Sequence, residues 1–276
     1  MKLLDRKNYY KVQLPLSRVT INNLFARSVI DQKIDGLVYV DNSENPKTFY
    51  ITHPYGMSLL FGETTNDNFN SELVKHALNK FNSRIKTEWL QAFPETWNKK
   101  LEGLFGNNLV KAIDNNSSDS NKKIEENTRV NFRFNKEKYL DSSKVKNNIG
   151  FKIIRTDKEI FENMQGSVVP KYFWNNAEEF IKGGVGFSLI YEGDVVATAY
   201  SAFIFDKQLE IGIETKAGFQ GKSFGFYVCQ ALIDYCIEND LEPIWACRLE
   251  NTGSFKLAQK LGFEPAIYIP YYRLIS

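Results

Sequence analysis

Six consecutive residues, Gln220-Gly221-Lys222-Ser223-Phe224-Gly225, separate a strand-like run from a long helical pattern. Glycines at such a junction let backbone approach a ligand closely, and the first N–H groups of a helix have no partner inside it. That combination suits an anion, in particular a pyrophosphate, with Lys222 adding a mobile positive charge. Just upstream, Leu209, Ile211 and Ile213 alternate with Glu210, Gly212 and Glu214, which places two carboxylates on one face of a strand. Carboxylates there could take a proton. An alkylamine of pKa about 10.4 is protonated at neutral pH, and removing its proton costs roughly 5 kcal/mol, so a positioned base would matter to any reaction at nitrogen.

The elements that position these residues follow from hydrophobic period. The second half reads as a strand at Phe151–Arg155, short helices at Asp157–Gln165 and Asn175–Lys182, and strands at Gly186–Tyr191, Val195–Phe205 and Leu209–Thr215. A helix over Gly221–Asn239, a strand at Pro243–Cys247, a helix over Thr252–Lys260 capped by Asn251, and one or two strands in Phe263–Leu274 complete it. The first half shows the same order less sharply: a helix around Ile21–Val29, strands at Leu37–Val40, Thr48–Thr52 and Met57–Phe61, a helix over Ser71–Asn82, a strand at Thr87–Phe93 and a helix after Pro94. Polar stretches at Asp114–Asn127 and Asp141–Asn148 read as loop or linker, with a half-buried strand in Arg129–Tyr139 between them. This predicts an N-terminal α/β domain over residues 1–140 and a second domain over 149–276.

The Gln220–Gly225 hexapeptide resembles the signature Gln/Arg-x-x-Gly-x-Gly/Ala of GNAT acyltransferases, with Ser223 standing at the first glycine position. Asn251, Ser254, Ala258 and Lys260-Leu261-Gly262-Phe263 resemble the second motif of that family. The resemblance implies an α/β (α+β) fold, a mixed, mostly antiparallel sheet flanked by helices, with the N-terminal domain a degenerate GNAT-like copy. It implies acetyl-CoA or another acyl-CoA as co-substrate and a primary amine, small molecule or peptide, as acceptor. The pyrophosphate falls to Gln220, Gly221, Lys222, Ser223, Phe224 and Gly225, the pantetheine arm to Ile213, Glu214 and Thr215, and the opposite side of the arm to Asn251 and Ser254. Glu210 and Glu214 are the candidate catalytic bases, Glu210 preferred because Glu214 lies nearer the pyrophosphate turn. Ala258 stands where many members carry an acid tyrosine, which leaves Tyr268, Tyr271, Tyr272 or water for that role. The first half has GETTNDNFN (62–70) in place of the turn, so one cofactor site per chain is expected.

Composition narrows the alternatives. The chain has 276 residues, 43% hydrophobic and 25% charged, and a net charge of +2 with no basic stripe, which argues against nucleic acid as a partner. No apolar run reaches membrane-spanning length, and Met1–Lys11 lacks the build of a secretory signal. Cys229, Cys236 and Cys247 read as reduced core residues of a cytoplasmic protein, and His53 and His76 have no neighbours at metal-ligand spacing. The oligomeric state, homodimer included, is left open. Two competing readings are a non-catalytic acyl-CoA-binding or regulatory module and a Fem-like aminoacyl transferase, which also has paired domains.

Overall fold

The computed structural model describes residues 1–82, 84–112, 124–142 and 150–276. The chain folds into two units: Met1–Val130 with Arg248–Glu250 and Ile267–Ser276, and Asn131–Cys247 with Asn251–Ala266. The last ten residues thus fold with the first unit.

The first unit runs β1 (Lys2–Leu3), α1 (Tyr10–Leu16), α2 (Leu24–Ile30), β2 (Leu37–Val40), β3 (Thr48–Thr52), β4 (Met57–Gly62), α3 (Asp67–Ala77), β5 (Glu88–Phe93), α4 (Thr96–Phe105), β6 (Leu109–Lys111) and most of β7 (Ile124–Phe134). Strands β1 to β4 pair antiparallel in sequence order, and β4 pairs β5 in parallel across the crossover helix α3. Tyr50, Leu60, Leu90 and Ala92 from the sheet meet Phe69, Leu73, Trp97, Leu101 and Phe105 from α3 and α4 in one core, joined by Tyr272 and Leu274. Full burial of each large side chain there contributes roughly 1.5–3 kcal/mol. Two expectations shift. Helix α3 starts at Asp67 and not Ser71, because Asn66 caps it by accepting from the Phe69 N–H at 3.0 Å. Strand β7 starts at Ile124 and not Arg129, with Ile124–Glu126 paired to β6. The rest of the expected 114–127 linker, and most of 141–148, lie outside the described residues.

The second unit continues with α5 (Lys136–Ser142), β8 (Phe151–Arg155), α6 (Lys158–Asn163), α7 (Ala177–Gly183), β9 (Gly186–Tyr191), β10 (Asp194–Phe205), β11 (Gln208–Thr215), α8 (Phe224–Glu238), β12 (Glu242–Ile244), most of β13 (Ala246–Arg248), α9 (Thr252–Lys260) and the start of β14 (Phe263–Leu274), whose residues from Ile267 on belong to the first unit. Its sheet has the order β12-β11-β10-β9-β8. The pairs β8–β9, β9–β10 and β10–β11 are antiparallel, and β11–β12 is parallel across α8. Helix α8 buries Phe224, Val228, Cys229, Leu232, Ile233 and Cys236. The topology of the first unit is therefore repeated: strand, two helices, three antiparallel strands, crossover helix, parallel strand, helix. The cysteines are free and buried, and burial pushes the Cys236 thiol up to about 12. Among the described residues no helix is long and apolar enough to cross a membrane.

One core residue of the first unit carries a pH signature. His53 is buried, its Nδ1 accepting from the Tyr55 N–H at 3.1 Å, and burial, helped by the charge of Lys86, lowers its pKa to about 3. An unfolded histidine titrates near 6.5, so between these values the unfolded chain binds more protons and folding weakens as pH falls. Lowering the pH from 7 to 5 should cost about 2 kcal/mol through this group, at about 1.4 kcal/mol per unit below 6.5. Urea unfolding at both pH values checks it: the pH-dependent loss should shrink by that amount in His53→Gln.

Candidate functional site

Strand β11 and its parallel neighbour pair only at Gln208–Glu242, Leu209–Pro243 and Glu210–Ile244. Beyond Ile244 the expected single strand Pro243–Cys247 breaks at Trp245, whose carbonyl accepts from the Phe132 N–H at 3.0 Å, and β13 follows. Among the described residues, Ile211–Thr215 of β11 consequently have no partner on that side in the sheet register. In the first unit the corresponding strands stay paired from Met57–Trp89 to Phe61–Phe93 and leave no such gap.

At the end of β11 the chain turns through Lys216–Ser223 into α8. Gly221 has φ +76° with open space around the position of a Cβ, and Gly218 has φ +87°. Ser223 adopts the left-handed conformation, φ 66°, despite its Cβ. Among the described residues the backbone N–H groups of Gln220 to Gly225 donate to no protein acceptor, and Ser223 makes no side-chain cap bond. Gly225 packs close to the strand, since a Cβ there would lie 3.2 Å from Thr215 Oγ1. Phe224 anchors the turn among Tyr191, Phe219 and Phe151. Lys222 Nζ sits 5.0 Å above the Phe219 ring, and Gln220 Nε2 reaches the Thr215 carbonyl at 3.5 Å. In the first unit the same place is filled: the Asn66 side chain caps α3, and Asp67 puts a carboxylate in its first turn. An anion would meet an acceptor and a like charge there.

The remaining candidates are distributed as follows. Asn251 Oδ1 accepts from the Ser254 N–H at 3.2 Å as the cap of α9, and Ser254 Oγ accepts from Trp245 Nε1 at 3.2 Å. The second of these bonds ties the start of α9 to the segment where the strand breaks. Glu210 is 6% exposed and occupies the last paired position of β11 before the gap. Glu214 is half-buried, and its Oε2 accepts from the Ser167 N–H (2.8 Å), the Val168 N–H (2.7 Å) and Ser167 Oγ (3.3 Å). Gly212 is required opposite Tyr200, whose ring would lie 2.4 Å from a Cβ. Ala258 is buried inside α9. Of the tyrosines considered as acids, Tyr272 is in the first unit's core, Tyr271 stacks on Trp89 at 5.0 Å, and Tyr268 is exposed.

A strand pair that parts beside a glycine turn with free N–H groups is the arrangement of an acyl-CoA-dependent N-acyltransferase. The chain belongs to the GNAT acetyltransferase family, whose model matches residues 16–272. It is 25% identical over 249 residues, 90% of this chain and 89% of the relative, to the uncharacterized N-acetyltransferase YdfB of Bacillus subtilis (strain 168). Its fold is similar to a GCN5-related N-acetyltransferase-like protein from Streptococcus suis 89/1591, with a TM-score of 0.69 at 18% identity, covering 96% of this chain and 98% of that one. A tandem GNAT protein from the clavulanic acid biosynthesis pathway also shares the fold, with a TM-score of 0.61 at 9% identity and coverage of 99% and 97%.

Proposed function

We propose that the second unit transfers an acetyl group from acetyl-CoA to a primary amine by direct attack, in the cytoplasm, with one acyl-CoA site per chain. The observation that carries this reading is the parting of the strands after Glu210–Ile244 beside an unsatisfied turn. The N–H groups of Gln220, Gly221, Lys222, Ser223, Phe224 and Gly225 would hold the pyrophosphate. The backbone of Ile213, Glu214 and Thr215 would hold the pantetheine arm, with Asn251 and Ser254 facing it. Bound acetyl-CoA supplies a thioester whose carbonyl the amine attacks and whose thiolate leaves. Glu210, buried at the start of the gap, would take the ammonium proton.

Purified protein, acetyl-CoA and a panel of amines test this by release of free thiol. Amine-dependent release is expected. Binding of acetyl-CoA without release by any amine would instead support a non-catalytic module, the reading favoured by the missing tyrosine at Ala258. Thermal protection by acetyl-CoA and not by aminoacyl-tRNA is expected as well, and the reverse would support the Fem-like reading. Because backbone supplies most of the donors, Lys222→Ala should weaken acetyl-CoA binding only about two- to fivefold, the 0.3–1 kcal/mol of an exposed charge near a helix end, read by calorimetric titration.

A further inference from the structure

One sheet face of the first unit is polar where the opposite face is apolar. Leu90 and Ala92 of β5, Ile124 of β7, and Tyr272 and Leu274 of β14 belong to the core under α3 and α4, so alternation turns the residues between them to the other side. Strands β5, β14 and β7 are neighbours in the sheet, and on that side they carry Trp89 and Gln91, Tyr271 and Arg273, and Arg129. Arg248 joins them from the segment beside β7, where the Leu249 N–H donates to the Thr128 carbonyl at 2.8 Å. All of these residues belong to the first unit.

Trp89 and Tyr271 stack with their ring centroids 5.0 Å apart. The Arg248 guanidinium lies 4.6 Å and the Arg273 guanidinium 5.9 Å from the Trp89 centroid, and the Arg129 guanidinium lies 5.1 Å from that of Tyr271. Guanidinia gathered on one pair of rings repel each other, and an anion among them relieves that repulsion. Glu125 answers Arg273 at 3.0 Å, while Glu250 accepts from the Thr128 N–H at 3.0 Å. Among the described residues the half-buried Arg248 guanidinium donates to no acceptor and is held by the Trp89 ring alone. A guanidinium laid on a ring keeps its N–H edge free, and that edge forms paired bonds to a carboxylate or phosphate. A second observation points the same way. Gln91 is fully buried on this face; its Nε2 donates to the Asn22 carbonyl at 2.6 Å, and its Oε1 meets no donor among the described residues. An unanswered cation and an orphaned acceptor call for a polar occupant.

We propose that Arg248, with Arg129 and Arg273 beside it, forms a binding site in the first unit for the oxyanion of a small molecule, a carboxylate or phosphate group. The site is separate from the pyrophosphate turn of the second unit and does not depend on acyl transfer there.

Calorimetric titration of the whole chain at low ionic strength, with citrate and inorganic phosphate as probes, tests the site. Saturable binding of at least one probe is expected, and which of them binds separates a carboxylate from a phosphate ligand. Arg248→Gln should weaken that binding by about tenfold or more. Arg248→Lys keeps the charge but loses the paired N–H edge, and should weaken it by about threefold or more. The same titration in Gly221→Val should stay within about twofold of the wild type, because that substitution lies in the second unit's turn. A saturating probe should also raise the melting temperature of the wild type and not that of Arg248→Gln. Three results would overturn the proposal: no saturable binding of either probe, unchanged affinity in Arg248→Gln, or affinity lost in Gly221→Val and kept in Arg248→Gln, which would put the anion on the turn.

Discussion

Glu210→Gln should lower kcat by about 10²- to 10⁴-fold while leaving acetyl-CoA binding nearly unchanged. The reasoning starts from the acceptor: an alkylammonium at neutral pH is about three pH units below its pKa, and only the neutral amine attacks. A positioned base typically contributes 10²–10⁴, about 3–5 kcal/mol of barrier. Glu210 sits where the strands part and is 6% exposed, so it is at the end of the gap where a thioester would lie and is screened from bulk water. Gln preserves its volume and removes its charge. Stopped assays of thiol release from pH 6 to 10 check it: the variant should regain rate as the amine deprotonates in solution, and a variant with wild-type kcat at pH 7 would remove Glu210 from the mechanism.

Gly221→Val should raise the dissociation constant for acetyl-CoA by tenfold or more, at least about 1.4 kcal/mol. The substitution meets no protein atom, because the space within 4 Å of its Cβ is open. Its effect comes instead from two sources: a β-branched residue at φ +76° is strained, and its methyl groups occupy the space in front of the unsatisfied N–H groups. Far-ultraviolet circular dichroism and the melting temperature separate the two. A folded variant with weakened binding fits a backbone cradle; equal affinity would mean the phosphates lie elsewhere.

Much of this candidate site is legible in the sequence because its signals are local. The glycines around Lys222, the alternation through Glu210 and Glu214, and the cap at Asn251 each act within a few residues, and the second unit's order of elements followed from period alone. What was not legible depends on distant partners. The break at Trp245 falls inside a continuous apolar run and is made by the Phe132 N–H, more than a hundred residues earlier. The triple hydrogen bonding of Glu214 joins it to backbone N–H groups 46 and 47 residues away, which no side-chain pattern announces. Ser223 looks unsuited to the turn and nonetheless takes a left-handed φ, beside a Phe224 ring packed against Tyr191. The start of α3 is signalled locally, since Asn66-Asp67 is a capping pair that precedes the apolar stripe.

The duplicated topology makes one question central, whether one unit or both bind acyl-CoA. Isothermal titration of the whole chain with acetyl-CoA answers it. The parted strands and free turn of the second unit, against the paired β4–β5 and the Asn66-capped helix of the first, predict one site per chain, weakened in Gly221→Val. Two equivalents bound, or one equivalent bound with full affinity in Gly221→Val, would contradict the account.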